Sequence, residues 1–183
     1  VVVGRSSSTE VRVYDGQVEQ LASATSAGIG VRVVAGHRQG FAYAGSLDDD
    51  VLADTLAEAR DNATFATDDE WLGLAEPDGV AVPALDLYRE GLAAVPTAAK
   101  IDLAMALERA VRAADPRVSG VDAADYADGV SEGAVVTSTG IRTVGRDASC
   151  YVSVSCTAQA DGDTKTGFGF SVGRLPVDLD IEA

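Results

Sequence analysis

The spacing of apolar residues changes twice along this 183-residue chain. The first 45 residues alternate between apolar and polar positions, which is the pattern of half-buried strands. Two segments at helical spacing follow, and the alternation returns after Asp115-Pro116. Strands, two helices and further strands predict an α+β domain in which the two helices pack on one face of an antiparallel sheet. The order of the strands in that sheet is left open.

Turn residues divide the first 45 residues into hairpins. Asp15-Gly16 is a two-residue hairpin signal, and a second turn is predicted around residues 35–38. Small residues such as Gly28 and Gly30 precede a strand and not a helix, so they predict bent strands or close backbone approach and no dinucleotide site. The predicted strands of this region are residues 10–14, 17–26, 28–34 and 40–44.

Two helices are predicted in the middle of the chain. Ser46 stands three residues before Asp49, which predicts a capping box and a helix from about Leu47 to Thr64. The second helix begins at Thr97 after Pro96 and ends before Asp115-Pro116. The acidic stretch 67–95 between them is predicted to be a long ordered loop that holds one turn of helix, in which Trp71 pins the loop to the core or contacts a partner.

The last third of the chain predicts strands. One of them places Cys150 and Cys156 on the same apolar face, about 20 Å apart at ~3.3 Å per residue, so the two thiols cannot form a disulfide with each other there. Buried structural thiols are the favoured interpretation. The predicted strands are residues 118–126, 134–139, 141–146, 149–160 and 165–174.

Charge and composition exclude several classes of function. The formal net charge is -15, and such a surface repels phosphate backbones and anionic lipids, so no nucleic acid and no membrane partner is expected. No apolar run approaches the ~20 residues that cross a bilayer, and no signal peptide is recognisable, so a cytoplasmic location is expected. The opening Val1-Val2-Val3, without a Met, predicts a piece of a longer protein.

Catalytic and metal-binding motifs are missing from the sequence. There is no zinc-binding HExxH helix, no CxxC pair, no GxSxG elbow and no phosphate-binding loop. The single histidine, His37, lies at a predicted hairpin tip, where a solvated turn residue is the favoured interpretation. The acidic clusters at Asp48–Asp50, Asp68–Glu70 and Asp161/Asp163 are interpreted as solvated surface features. No catalytic residue, no metal ligand and no cofactor are therefore predicted in this chain.

The segment GIGVRVVAGHRQGFAYAG, residues 28–45, resembles the amino-terminal hairpin of the TldD/PmbA family, also called modulators of DNA gyrase. The TSTG segment at residues 137–140 and the GFGF segment at residues 167–170 fit the same order of features. The resemblance covers essentially the whole chain, and it implies a TldD/PmbA amino-terminal domain over residues 1–176 with a linker at 177–183 toward a carboxy-terminal domain.

The hairpin residues Arg32 and Tyr43 are the candidate substrate-binding residues, with a purely structural role as the alternative.

The resemblance also implies a function for the longer protein. Catalytic members carry an HExxxH zinc motif at or beyond the domain junction, whereas the PmbA (TldE) branch lacks the zinc ligands and pairs with a TldD-like subunit. This chain is accordingly expected to be non-catalytic by itself, with zinc in the full-length protein or its partner, a peptide or unfolded segment as substrate, and a homo- or heterodimer as the assembly. Three hypotheses stay open: a domain that shapes the peptide chamber, an assembly module, or a free-standing domain that binds a small ligand.

Overall fold

A computed structural model of the chain describes residues 1–181. These residues form six strands and two α-helices. Short 3-10 turns at Leu92–Ala94 and Pro176–Asp178 complete the described structure. The elements are β1 Val2–Tyr14, β2 Gln17–Ala35, β3 Arg38–Ala44, α1 Asp49–Phe65, α2 Thr97–Ala114, β4 Val118–Val136, β5 Arg142–Ala160 and β6 Asp163–Gly173.

The strands described in residues 1–181 form one sheet in the order β3-β2-β1-β4-β5-β6. The hairpin pairs β2–β3 and β5–β6 are antiparallel, and the amino-terminal ammonium of Val1 donates to the carbonyl of Val136 at 2.8 Å, where β1 begins and β4 ends. The predicted α+β class with an antiparallel sheet and two helices is confirmed. Strands β3 and β6 are the edges of this sheet.

Three hairpins share one turn geometry. Both central residues of each turn have positive φ, as a type I′ turn requires, and this geometry matches the twist of the flanking strands. The predicted Asp15-Gly16 turn is confirmed, with φ values of 49° and 70°. His37, at φ 60°, is an exposed residue of the second turn, as predicted.

The sequence predicted too many strands. Residues 17–35 form one strand where two were predicted, and β4 and β5 each replace two predicted pieces. Small and polar residues suggested breaks, but a strand inside a sheet satisfies its backbone groups from both neighbours whatever its side chains are. At Gly133 a Cβ atom would lie 3.0 Å from the carbonyl oxygen of Val3, so a small residue there reflects close backbone approach and not a turn.

The helices were predicted with unequal accuracy. Helix α2 has the predicted bounds, Thr97–Ala114, because Pro96 and Asp115-Pro116 flank it. Helix α1 begins at Asp49, and the predicted capping box is wrong: the Ser46 hydroxyl donates to the Asp48 carboxylate at 2.8 Å, and the N-cap residue Asp48 makes no side-chain cap bond. The loop between the helices holds the predicted single turn.

The chain divides into two compact units. The first unit comprises Val1–Ser6, Thr25–Asp86 and Ser131–Arg146, and the second comprises Ser7–Ala24, Leu87–Val130 and Asp147–Ala183. The core of the first unit is small and is built from Ile29, Val31, Ala42 and Ala59. The core of the second unit is larger and includes Val11, Val13, Leu92, Leu107, Val121, Tyr126, Cys150 and Val152.

The predicted division into a domain over residues 1–176 and a linker over 177–183 stays a prediction. Leu179 and Ile181 pack against the core of the second unit. Residues 182 and 183 of the predicted linker lie outside the described residues.

Candidate functional site

The predicted site residues lie on the outer face of the β2–β3 hairpin in the first unit. Arg32 is opposite Phe41 in the register, and Gly30 is opposite Tyr43. Phe41 and Tyr43 are exposed by 57% and 78%, which is unusual for large aromatic side chains on a strand. We name Arg32, Phe41 and Tyr43 the hairpin platform.

Glycine at position 30 makes room for an aromatic ring. A Cβ atom at Gly30 would lie 3.2 Å from the Phe41 ring, so the ring extends across the glycine. The Phe41 and Tyr43 rings lie 6.3 Å apart, centroid to centroid, with a 31° angle between their planes. The two rings are therefore held side by side on the surface and not inserted into the core.

Arg32 lies beside these rings on a polar face. Its Nε donates to the Oε1 atom of Gln39 at 2.9 Å. That bond uses one of the five N–H donors of a guanidinium group, whose planar fork suits carboxylate and carbonyl oxygens. Because Gln39 is uncharged, this bond is not an ion pair.

Helix α1 holds the platform from the inner face. At Gly40 a Cβ atom would lie 2.0 Å from the carbonyl oxygen of Ala59, so only glycine allows the helix backbone to approach β3 this closely. The Asn62 amide Nδ2 donates to the carbonyl oxygen of Phe41 at 3.0 Å. Because a helix fixes the backbone on which Phe41 and Tyr43 are carried, the exposed rings stand on a rigid base.

A second aromatic pair, which is not among the site residues predicted from the sequence, lies on β6 in the second unit. Phe168 and Phe170 are 72% and 70% exposed, and their rings lie 6.1 Å apart. Gly167 between Thr166 and Phe168 faces the opposite side, where a Cβ atom would meet the Cys156 sulfur at 3.2 Å. The GFGF repeat could have indicated this pattern, since alternating residues of a strand face opposite sides.

Buried charges of the second unit form a network that is satisfied internally. Lys100 Nζ lies 2.6 Å from Asp128 Oδ2 and donates to the Thr9 hydroxyl at 2.9 Å. The Tyr126 hydroxyl donates to the same Asp128 oxygen at 2.8 Å. Burial, together with the bond to Asp128, raises the pKa of Tyr126. This network joins α2 to β1 and β4. Because its charges are paired and hydrogen-bonded within the protein, we interpret it as a structural ion pair and not as a catalytic site.

The two cysteines are free, as predicted. Cys150 is buried and Cys156 half-buried, and burial raises the pKa of the Cys150 thiol to about 11. A thiol with a raised pKa is a poor nucleophile at neutral pH because little thiolate is present. The interpretation of Cys150 as a structural residue is thereby strengthened.

Glu108 is a buried carboxylate that joins α2 to the first hairpin turn. It accepts a hydrogen bond from the backbone N–H of Gly16 at 2.8 Å, and Arg112 donates to its Oε1 from two guanidinium nitrogens. All of these partners belong to the second unit. No pattern in the sequence predicts this contact, because Glu108 and Gly16 are 92 positions apart.

Residues 1–181 contain no group of three or more His, Cys, Asp or Glu side chains that could hold a metal ion. In the same part of the chain no helix has the length and apolarity needed to span a bilayer. The interpretation of Trp71 as a residue that pins the loop to the core is corrected, since its side chain is 87% exposed, and the alternative of a contact with a partner stays a prediction. The start of that loop is held by a backbone hydrogen bond, in which the N–H of Asp69 donates to the carbonyl oxygen of His37 at 2.8 Å.

Comparison with known families identifies two matching domains. Residues 1–63 match the model described as PmbA/TldA metallopeptidase domain 1, and residues 90–183 match the PmbA/TldA metallopeptidase central domain. The chain belongs to the TldD/PmbA family. The resemblance that the Gly28–Gly45 segment suggested is thus confirmed.

Individual relatives agree with this family. The chain is 26% identical over 180 residues to the metalloprotease PmbA of Escherichia coli O157:H7. This alignment covers 98% of the present chain and 40% of the length of PmbA. Two solved structures that are 18% identical in sequence share the fold of this chain. Each alignment covers 99% of this chain and 40% of the other protein's chain. They are TldE from Thermococcus kodakarensis, with a TM-score of 0.88, and a protein named a modulator of a DNA gyrase from Thermotoga maritima, with a TM-score of 0.87. This chain therefore spans 40% of the length of these relatives.

Proposed function

We propose that this chain is the amino-terminal, non-catalytic domain of a cytoplasmic TldD/PmbA-type metallopeptidase or of its zinc-free partner subunit. In this proposal the domain shapes the chamber in which a peptide substrate lies. The observation that carries the proposal is the hairpin platform, where Arg32 and Tyr43 stand exposed with Phe41 on a backbone fixed by α1.

The platform has the chemistry of a surface that holds an extended peptide. Exposed rings offer apolar area to side chains of many kinds, and a guanidinium donates to peptide carbonyls or a terminal carboxylate. Strand β3 is also an edge of the sheet, and extended peptides add to such edges through main-chain hydrogen bonds. Contacts of this kind tolerate many sequences, as a peptidase acting on unfolded segments requires.

Zinc belongs elsewhere in this proposal. The described residues offer no cluster of ligands for it, so the metal of the assembly would be held by a further part of the protein or by a TldD-like partner. The expected assembly is a homo- or heterodimer of TldD/PmbA-type subunits, and the net charge of -15 supports a role without nucleic acid or membrane.

The experiment measures peptide turnover and thermal stability of the full-length assembly. Arg32→Ala and Tyr43→Ala should each lower kcat/KM for an unstructured peptide by about tenfold, equivalent to about 1.4 kcal/mol, while the melting temperature stays unchanged. Phe65→Ala is the matched control, since Phe65 is an 89% exposed aromatic residue of the same unit outside the platform. Turnover that falls only in step with unfolding, or falls equally in the control, would reject the peptide-binding role.

An assembly module is the second candidate function, and one observation favours it. Strand β6 is an edge of the sheet that displays the exposed pair Phe168 and Phe170, and proteins usually cover such edges. Phe168→Ser with Phe170→Ser should then dissociate the assembly as measured by sedimentation, with peptide turnover lost only through that dissociation.

A further inference from the structure

The hairpin turn between β2 and β3 decides which backbone groups of β3 point outward. The turn has two residues, and Ala35 pairs with Arg38 across it. The pair that flanks such a turn exchanges hydrogen bonds, and the following pairs of an antiparallel ladder alternate between non-bonded and bonded. The N–H and C=O groups of every second residue of β3 therefore point away from β2. These residues are Gln39, Phe41 and Tyr43.

The outward groups form a free edge of the sheet. Strand β3 is the first in the order β3-β2-β1-β4-β5-β6, so within residues 1–181 no strand lies beyond it. The side chains of Phe41 and Tyr43 are the exposed rings of the hairpin platform. A peptide that lies against these rings and pairs with the edge would therefore use the backbone of the same two residues.

One group of this edge is already occupied. The Asn62 side-chain amide donates from Nδ2 to the carbonyl oxygen of Phe41 at 3.0 Å. A side-chain amide carries the same N–H and C=O groups as a peptide bond, so Asn62 takes the place where the N–H of an added strand would bind. It caps the edge at its middle residue, between Gln39 and Tyr43.

Helix α1 holds the Asn62 amide in this place. A Cβ atom at Gly40 would lie 2.9 Å from the backbone carbonyl carbon of Asn62, so the helix backbone lies directly against β3. Asparagine is a poor helix former, and Asn62 lies inside α1, so local helix preference does not explain this residue. Asn62 is also exposed, so its bond to Phe41 competes with water and is open to exchange for another donor.

We propose that Asn62 is a displaceable cap of the β3 edge, which competes with the main chain of the peptide for the Phe41 carbonyl. Peptide binding then exchanges one hydrogen bond for another at this carbonyl. The cap lowers the affinity of the edge for extended chains in general, and it opposes pairing of the edge with strands of other molecules. A peptide that also contacts Arg32 and Tyr43 gains the further interactions that displace the cap. The inference rests on the proposed peptide-binding role of the platform and assigns Asn62 as a residue that determines its specificity.

The test measures binding of a fluorescein-labelled peptide of alternating threonine and valine residues to the 183-residue chain by fluorescence anisotropy. Asn62→Ala frees the Phe41 carbonyl and should lower Kd by about fivefold, the equivalent of one net hydrogen bond. Asn62→Asp keeps the shape of the side chain but does not donate at neutral pH, so it should also lower Kd. Asp61→Ala is the matched control, because it makes the same kind of change at the neighbouring exposed position of α1 and should leave Kd unchanged.

A second peptide separates pairing with the edge from contact with the rings. It has the same sequence with a methyl group on every peptide nitrogen, so it has no N–H to donate to the Phe41 carbonyl. Asn62→Ala should leave the Kd of this peptide unchanged. Equal effects on both peptides would show that the substitution acts through the fold or the rings, and would overturn the cap.

Two further outcomes separate the cap from the proposed function. Binding that Tyr43→Ala weakens, and that Asn62→Ala leaves unchanged or weakens, would overturn the cap while the platform keeps its role. Absence of peptide binding in the natural chain and in every variant would reject the peptide-binding role of the platform and the cap with it. Melting temperatures close to that of the natural chain verify that each variant is folded.

Discussion

The two units of this chain differ in the size of the side chains that fill their cores. The first unit packs small residues, with the α1 backbone close against Gly40, and it leaves Phe41 and Tyr43 exposed. The second unit buries Tyr126, Leu92 and the ion pair between Lys100 and Asp128. The difference teaches that close backbone packing in the first unit leaves no space for an aromatic ring in its core, whereas the core of the second unit accommodates Tyr126 while Phe168 and Phe170 stay exposed.

The largest effect should follow from breaking the buried ion pair of the second unit. Asp128→Ala removes the carboxylate that Lys100 and Tyr126 contact and leaves the ammonium group buried without its counter-charge. Loss of one partner of a buried pair costs about 4 kcal/mol of the free energy of unfolding. Urea unfolding measures this loss. If Lys100→Met does not restore part of the stability of Asp128→Ala, the cost does not come from an unpaired charge.

Backbone packing in the first unit should give the next largest effect. Gly40→Ala places a methyl group 2.0 Å from the carbonyl oxygen of Ala59, so α1 must move away from β3. Overpacking of this kind costs about 3 kcal/mol. Hydrogen exchange should show the loss of protection in α1 and β3.

The matched control for that substitution is Gly45→Ala, because an added Cβ at Gly45 meets no atom within 4 Å. Equal destabilisation by the two substitutions would show that the flexibility of the unfolded chain, and not helix contact, explains the loss. Loss of protection confined to the second unit would contradict the comparison between the units.

The smallest effect concerns pH and the second unit, which holds both cysteines. Burial raises the pKa of Cys150 from 9.0 to about 11, so the thiol ionises more readily in the unfolded chain. Its contribution to stability is therefore complete below pH 9 and is lost as the pH rises to 11, by about 2 kcal/mol. The raised pKa of Tyr126 acts in the same direction at higher pH.

Urea unfolding at several pH values, compared with Cys150→Ala, measures the cysteine contribution. The variant is expected to lose less stability than the natural chain over the same pH range, since its side chain cannot ionise. An identical pH dependence of the two proteins would show that the thiol is not the titrating group.

The site itself was only partly predictable. The resemblance of residues 28–45 selected Arg32 and Tyr43, and the structure places both on the exposed face of one hairpin. Phe41 was not selected, although it lies opposite Arg32 and shares the exposed face of β3 with Tyr43. The interpretation of Trp71 as a core plug was wrong because a large apolar residue in a loop is buried only where a core receives it, and the neighbouring residues do not reveal one.

The sequence by itself determined the elements whose causes are local. Asp15-Gly16 specified a type I′ turn because positive φ suits these residues, and Pro96 with Asp115-Pro116 specified the bounds of α2. Only the tertiary structure decided the strand order, the uninterrupted strands β2, β4 and β5, and the distant contacts of Glu108 with Gly16 and of Asn62 with Phe41. Those features depend on hydrogen bonds and close packing between residues far apart in the chain, and no spacing within a short segment records them.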